Sequence, residues 1–204
     1  MRNRSFIGFG GTTLGLVLGL LALLPTAAFA HTGVGPTHGL LHGFTHPLFG
    51  WDHLLAMFAV GLWAAQRGDR SVWLLPAVFV GTMVVGGLLG VVGVPVPGVE
   101  AGILASVLVL GGLIALAARF PLALGVAAVA LFALFHGHAH GTEMPAAVSG
   151  VAYGLGFAAA TALLHATGIL VVLAAQATIG ERRHTWLRIA GASISAAGLA
   201  LWLL

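Results

Sequence analysis

The chain has 204 residues, of which 59% are hydrophobic and 6% are charged, and its net charge is +3. Soluble domains carry about 25% charged residues, so this chain has too few to cover a water-facing surface. Long apolar stretches separated by short breaks indicate an integral membrane protein. The eight basic residues form no stripe of the kind that binds nucleic acid, and we expect no nucleic-acid partner.

The chain contains no cysteine, and all eight of its basic residues are arginines. Without lysine there is no phosphate-binding loop G-x-x-x-x-G-K-[ST], so we expect no nucleotide to bind by that route. Because we expect no nucleotide to bind by that route, any transport would need an ion gradient or a separate ATPase subunit. Without cysteine there are no thiolate metal sites and no disulfides. The sequence does not indicate an oligomeric state.

Residues 1–30 have the pattern of a cleaved secretory signal peptide. Two arginines within the first four residues precede a short apolar core at 14–24, and residues 28–30 form an A-x-A cleavage site. Cleavage there leaves a mature chain of residues 31–204 that begins outside the cytoplasm. The alternative is a retained first transmembrane helix, because residues 5–24 approach spanning length.

The mature chain is predicted to be one domain, an all-α bundle of six transmembrane helices. A glycine- and histidine-rich external segment, residues 31–45, precedes the bundle. The six apolar spans are 47–66, 72–94, 100–118, 121–139, 146–179 and 186–204. The fifth span is long for a bilayer about 30 Å thick, so we expect it to tilt, to project into the cytoplasm or to break near Gly168.

The arginines predict the orientation of these spans. With the mature N-terminus outside, each of the six arginines of the mature chain falls in a cytoplasmic loop or at the cytoplasmic start of a span: Arg67, Arg70, Arg119, Arg182, Arg183 and Arg188. This distribution follows the positive-inside rule. The C-terminus is therefore expected to lie outside as well.

The first candidate metal cluster lies where the first span begins. We predict that Pro47 is in the first turn of this helix, with His46 at its cap. His46 and His53 would then share one helix face, with Met57 close to the same side as either a soft ligand or core filler. Asp52 lies beside this stripe, in position to bind a cation or to hold a histidine ring nitrogen.

The second cluster closes the fourth span. In helical geometry His136, His140 and Glu143 share a face, whereas His138 points elsewhere unless the glycines beside it break the helix. Both clusters fall at the external ends of their spans. Ionisable groups cost about 2.5–3.5 kcal/mol each at the centre of a membrane helix, so they usually mark a site or an ion path. Imidazoles grouped with carboxylates suit a borderline divalent metal, and we expect one shared site.

Other histidines have two open roles each. His31, His38 and His42 form either an external group that collects metal or a polar, histidine-rich loop. His165, within the fifth span, is either a further metal station or a partner in an interhelical hydrogen bond.

Two motifs resemble those of the HupE/UreJ family of nickel/cobalt permeases. The first is His-Pro-Leu-Phe-Gly-Trp-Asp-His at residues 46–53, and the second is Phe-His-Gly-His-Ala-His-Gly-Thr-Glu at residues 135–143. The signal peptide, the histidine-rich start and the six spans are similar too. The resemblance therefore covers essentially residues 31–204.

This resemblance implies uptake of Ni²⁺, with Co²⁺ as the second candidate, from the periplasm across the bacterial inner membrane to supply hydrogenase or urease. The chain would be a permease and not an enzyme, with a divalent metal as its substrate, the lipid bilayer around it and no prosthetic group. The family's functional positions correspond to metal-binding residues in both motifs: His46, Asp52, His53, His136, His138, His140 and Glu143.

Two other functions would use the same residues. An intramembrane zinc hydrolase would hold Zn²⁺ with three histidines and Asp52, beside a serine. Against this, the serines of the mature chain lie outside both clusters in the sequence. A haem protein with two histidine ligands would show a Soret band, which a permease would lack.

Overall fold

The structure is a computed structural model that describes residues 36–204, with side chains from residue 39 onward. It contains seven α-helices and one short 3-10 turn, which follow in the order α1 Pro36–Phe49, α2 Trp51–Arg67, α3 Ser71–Val91, α4 Val99–Ala115, α5 Leu122–Glu143, α6 Gly150–Ile179, the 3-10 turn Gly180–Arg182 and α7 Arg183–Leu203. Residues 36–204 contain no strand, so the predicted all-α fold is confirmed for them. The predicted signal peptide lies outside the described residues.

Three helical segments are long and apolar enough to cross a membrane: α3, α5 and the continuous stretch Gly150–Leu203, which contains α6 and α7. The bent pair of α1 and α2 makes a fourth candidate, and α4 is a shorter apolar helix. Many large apolar side chains on the outside of the bundle are exposed, as contact with lipid requires. The chain is a multi-pass membrane protein, and the number of six spans stays a prediction.

The first predicted span is broken at Gly50. Pro47 lies inside α1 and not in the first turn of the following helix, which begins only at Trp51. Gly50 has an extended backbone between the two helices, and their axes differ by 83°. The prediction that His46 and His53 share the face of one helix is therefore wrong.

Tight packing explains why α1 is a separate helix. A Cβ atom on Gly43 would clash with the carbonyl of Tyr153, and one on Gly156 would clash with the carbonyl of Leu40. Small residues let membrane helices approach closely in this way, and the resulting contact with α6 holds α1 in place. Residues 36–45 are thus helical and do not form a loop.

Close contacts also show the direction of neighbouring helices. Gly86 of α3 packs against Leu134 of α5, and Gly90 packs against His138, so α3 and α5 run in the same direction. A side chain at either glycine would collide with the backbone of α5. The Gly86-x-x-x-Gly90 spacing thus permits close packing between α3 and α5.

Helices α2 and α6 are parallel as well, since Met57 lies beside Thr161 and Gly61 beside His165. In contrast, α4 and α7 are antiparallel. Gly191 of α7 packs against Ala115 of α4, while Gly198 packs against Leu108.

Helix α6 runs unbroken for 30 residues, or about 45 Å at 1.5 Å per residue. Gly168 lies within it, where a Cβ atom would lie 2.5 Å from the carbonyl oxygen of Phe58 in α2. This glycine therefore permits close packing between helices, and the predicted alternative of a break near Gly168 is wrong.

Several arginines gather at one end of the bundle. Arg67, Arg70 and Arg119 line a single cavity. Nearby, Nε of Arg188 donates a hydrogen bond to the carbonyl of Ala115, the last residue of α4, at 2.9 Å. These residues lie on the α2–α3 loop, the α4–α5 loop and the start of α7, so the chain brings the three segments together.

Candidate metal centre

Three potential ligands meet where the ends of α1 and α5 come together. Nε2 of His46 lies 3.2 Å from Oε2 of Glu143. His46, His140 and Glu143 each offer a ligand atom within 4.8 Å of the other two. Metal–ligand bonds of about 2.1 Å place ligand atoms roughly 3–4 Å apart, so small side-chain rotations would close these residues around one ion. We call these three residues the mouth group, because the Glu143 side chain is 50% exposed.

Asp52 and His53 form a hydrogen-bonded pair at the start of α2. Nδ1–H of His53 donates to Oδ1 of Asp52 at 2.7 Å, and the backbone N–H of His53 donates to the same oxygen. The carboxylate thereby selects the tautomer in which Nε2 carries the free lone pair. Gly50 leaves room for the pair, because a Cβ atom there would lie 3.1 Å from Oδ1 of Asp52.

His136 is oriented by a serine from α4. The Ser106 hydroxyl donates to the carbonyl of Ile103 at 2.6 Å, so its oxygen accepts a hydrogen bond from Nε2–H of His136 at 3.0 Å. A hydroxyl group has one proton, and this arrangement uses it. Nδ1 of His136 is then left with its lone pair, as a metal ligand requires.

Four imidazole rings form a continuous row through the bundle. The distances between ring centroids are 4.6 Å from His46 to His140, 4.3 Å from His140 to His53 and 4.7 Å from His53 to His136. Nε2 of His53, Nδ1 of His136 and both ring nitrogens of His140 are buried without a hydrogen-bond partner in residues 36–204. An unpaired buried polar group costs about 1–3 kcal/mol, so several together indicate a site for a ligand.

His138 does not join this row. Helix α5 continues through both neighbouring glycines, so His138 lies on another face, and its Nε2 is 2.8 Å from the carbonyl oxygen of Val94 in the α3–α4 loop. The structure therefore does not support its place in the metal set, which rested on the resemblance. The expectation from helical geometry, that His138 points elsewhere, agrees with the structure.

The other candidate ligands lie at different depths. The His42 ring lies 6.5 Å from the His46 ring, next to the mouth group. Met57 and His165 are fully buried, deeper in the bundle. His31 and the His38 side chain lie outside the described residues, so their role in collecting metal stays a prediction.

Ser106 lies outside both clusters in the sequence, so their spacing did not identify it as a site residue. Ser106 is 30 residues before His136, and no local spacing could have linked the two. The proximity of a serine and a histidine does not make a hydrolase here. Ser106 is completely buried, and its proton is held by the carbonyl of Ile103.

The class of protein follows from these observations. This is a multi-pass membrane protein in which imidazole nitrogens and carboxylate oxygens from two distant motifs converge inside a helical bundle. Such donors bind borderline divalent cations well.

The comparisons with known proteins agree with this description. The family model for "HupE / UreJ protein" matches residues 18–201. Protein HupE of Rhizobium leguminosarum bv. viciae is 42% identical over 178 residues, which cover 87% of this chain and 91% of that protein. No solved structure matches the chain. The chain belongs to the HupE/UreJ family.

Proposed function

We propose that this protein is a permease that carries Ni²⁺ from the periplasm into the cytoplasm, with Co²⁺ as the second candidate. The ion would supply metalloenzymes such as hydrogenase or urease. Membership of the HupE/UreJ family supports a role connected with nickel or cobalt transport. The observation that carries the proposal is the row of four imidazoles, which has a carboxylate at its mouth and another beside His53.

Charge explains how a dication would enter the row. Glu143 is half exposed, so it can meet a hydrated ion, and its negative charge offsets part of the desolvation cost. Exchange of water for His46 and His140 brings the ion inside. The ion then meets Nε2 of His53 and Nδ1 of His136, while Asp52 adds negative charge behind His53. Binding must stay moderate, because an ion that is held too tightly cannot leave inward.

The helix directions support six membrane spans. If the bent pair of α1 and α2 counts as the first span, alternating spans require the first and fifth to be parallel, as well as the second and fourth. The third and sixth must be antiparallel. The parallel pairs α2/α6 and α3/α5 and the antiparallel pair α4/α7 match this pattern.

The arginines support the proposed orientation in the bacterial inner membrane. Arg67, Arg70 and Arg119 gather at one end of the bundle, which we assign to the cytoplasm by the positive-inside rule. The imidazole row would then open to the periplasm, and both mature termini would be periplasmic. Of two reporter proteins fused after Arg70, only the one that is active in the cytoplasm should give a signal. A signal from the reporter that is active in the periplasm would place Arg70 outside and reverse this orientation.

The test is uptake of radioactive Ni²⁺ by proteoliposomes that contain this chain alone, with Co²⁺, Zn²⁺ and Mn²⁺ compared in parallel, with and without a proton gradient. We expect the wild-type protein to accumulate Ni²⁺ without nucleotide. His53→Ala should insert to the same level and take up almost none, because it removes the imidazole at the centre of the row. Absence of flux in the wild-type protein, or normal flux in His53→Ala, would contradict the proposal.

A further inference from the structure

A second group of donor atoms lies beneath the imidazole row. The hydroxyl oxygen of Thr161 is 3.3 Å from Sδ of Met57 and 3.5 Å from Sδ of Met83. Thr167 and Thr178, on the same helix, donate instead to the carbonyl four residues earlier. The Thr161 hydroxyl is therefore turned into the bundle, where α2 and α3 each contribute a thioether sulfur and α6 contributes the hydroxyl oxygen.

His165 lies one helical turn below Thr161 on α6. Its side chain is 1% exposed, and neither ring nitrogen has a hydrogen-bond partner in the described part of the chain. The alternative role predicted for it, as a partner in an interhelical hydrogen bond, is not seen there. A buried imidazole with two unpaired nitrogens destabilises the fold unless it serves a ligand.

These residues continue the row inward. The Phe157 ring contacts the His140 ring at 3.7 Å between centroids. Thr161 and His165 follow on the same face of α6, about 6 Å and 12 Å further along the helix. The fully buried Phe79 ring lies against both His136 and His165, at 5.7 Å and 5.1 Å. Phe79 therefore contacts both the last imidazole of the row and His165.

We propose that Met57, Met83, Thr161 and His165 form an inner, softer cation station, which receives the transported ion after it leaves the imidazole row. This inference rests on the proposed permease function. The four donor side chains include no carboxylate, so the station would hold a dication more weakly than the mouth group and release it readily. Thioether and imidazole donors favour borderline cations such as Ni²⁺ and Co²⁺ over harder Mg²⁺ and Mn²⁺. The station would thus select the substrate after the outer residues have collected it.

The composition of the chain allows a direct spectroscopic test. The chain has four methionines and no cysteine, so any sulfur bound to nickel must come from a thioether. The experiment is X-ray absorption at the nickel edge on the purified full chain, loaded with one and then two equivalents of Ni²⁺. We expect nitrogen and oxygen scatterers at one equivalent and an added sulfur scatterer at two.

Matched variants assign that sulfur. Leucine and methionine have similar volumes, so the double variant Met57→Leu/Met83→Leu should fold, and Met144→Leu is the control. The sulfur signal should vanish in the double variant and persist in the control. No sulfur in the wild-type spectrum at two equivalents, or its persistence in the double variant, would overturn the inner station.

Uptake shows whether the station lies on the ion path. The purified double variant should bind the first equivalent of Ni²⁺ with wild-type affinity. In proteoliposomes its Ni²⁺ uptake should fall roughly tenfold or more, and it should discriminate less against Mn²⁺. Wild-type uptake and discrimination in this variant would refute its place on the path. If the wild-type protein itself carries no Ni²⁺, the permease proposal fails, whereas the absorption experiment still decides whether the thioethers bind metal.

Discussion

Two faces of α5 use the same residue type for different purposes. His140 faces α1 and α2, contacts the rings of His46 and His53, and has no hydrogen-bond partner within residues 36–204. His138, two residues earlier, bonds to the carbonyl of Val94 through Nε2 and takes no part in the row. A rotation of about 200° around the helix separates His140, a candidate ligand, from His138, which hydrogen-bonds to the α3–α4 loop. Histidine content alone therefore does not define the metal set.

The largest expected effect is a loss of Ni²⁺ uptake when the histidine on one of these two faces, but not the other, is removed. His140→Ala removes the ring that joins the mouth group to His53. Ni²⁺ uptake should therefore fall by more than the roughly 10–100-fold that is typical when a residue supporting a metal ligand is mutated. The measurement is radioactive Ni²⁺ uptake at equal membrane levels. His138→Ala is the matched control, with uptake close to wild type and a loss of about 1 kcal/mol of stability from one hydrogen bond. Equal losses of uptake in both variants would contradict the distinction.

Removing charge at the mouth should have the next largest effect. Glu143→Gln keeps the shape of the side chain but removes the negative charge that faces His46, so Ni²⁺ affinity should fall roughly tenfold. The affinity is measured by isothermal titration of the purified protein. Glu181→Gln, which alters an exposed carboxylate beside Arg183, controls for net charge. An unchanged affinity in Glu143→Gln would remove this residue from the site.

A smaller effect is expected from the residue that orients His136. Ser106→Ala lets the ring of His136 rotate or change tautomer, so Ni²⁺ affinity should fall by no more than about tenfold. Ser106→Thr keeps the hydroxyl and should restore most of that affinity. If the threonine variant binds as weakly as the alanine variant, while both have wild-type thermal stability, the hydroxyl does not position the ring.

Local sequence pattern predicted one half of the site well. His136 and His140 are four residues apart, and His140 and Glu143 are three residues apart, which predicted that these side chains share a face of α5. The helix continues to Glu143, so the helical repeat determines their positions. The same reasoning predicted that His138 points away. The arginines likewise indicated which segments gather at one end of the bundle.

The other half depends on tertiary packing that no local pattern contains. The bend at Gly50 brings His46 to the site from α1, and it forms because glycines hold α1 against α6. Ser106 and Phe157 reach the histidines from α4 and α6, which contain neither motif. Their contacts span large sequence separations, so they could be found only from the folded chain.

The most direct test of the central claim is a double-mutant cycle on Ni²⁺ affinity, with His53→Ala from the first motif and His140→Ala from the second. Donors to one shared ion act as a unit, so the double variant should bind little more weakly than the weaker single variant. The measurement is the dissociation constant of Ni²⁺ for the four purified proteins. If the two losses in binding free energy simply add, the motifs bind separate ions, and the shared site does not exist.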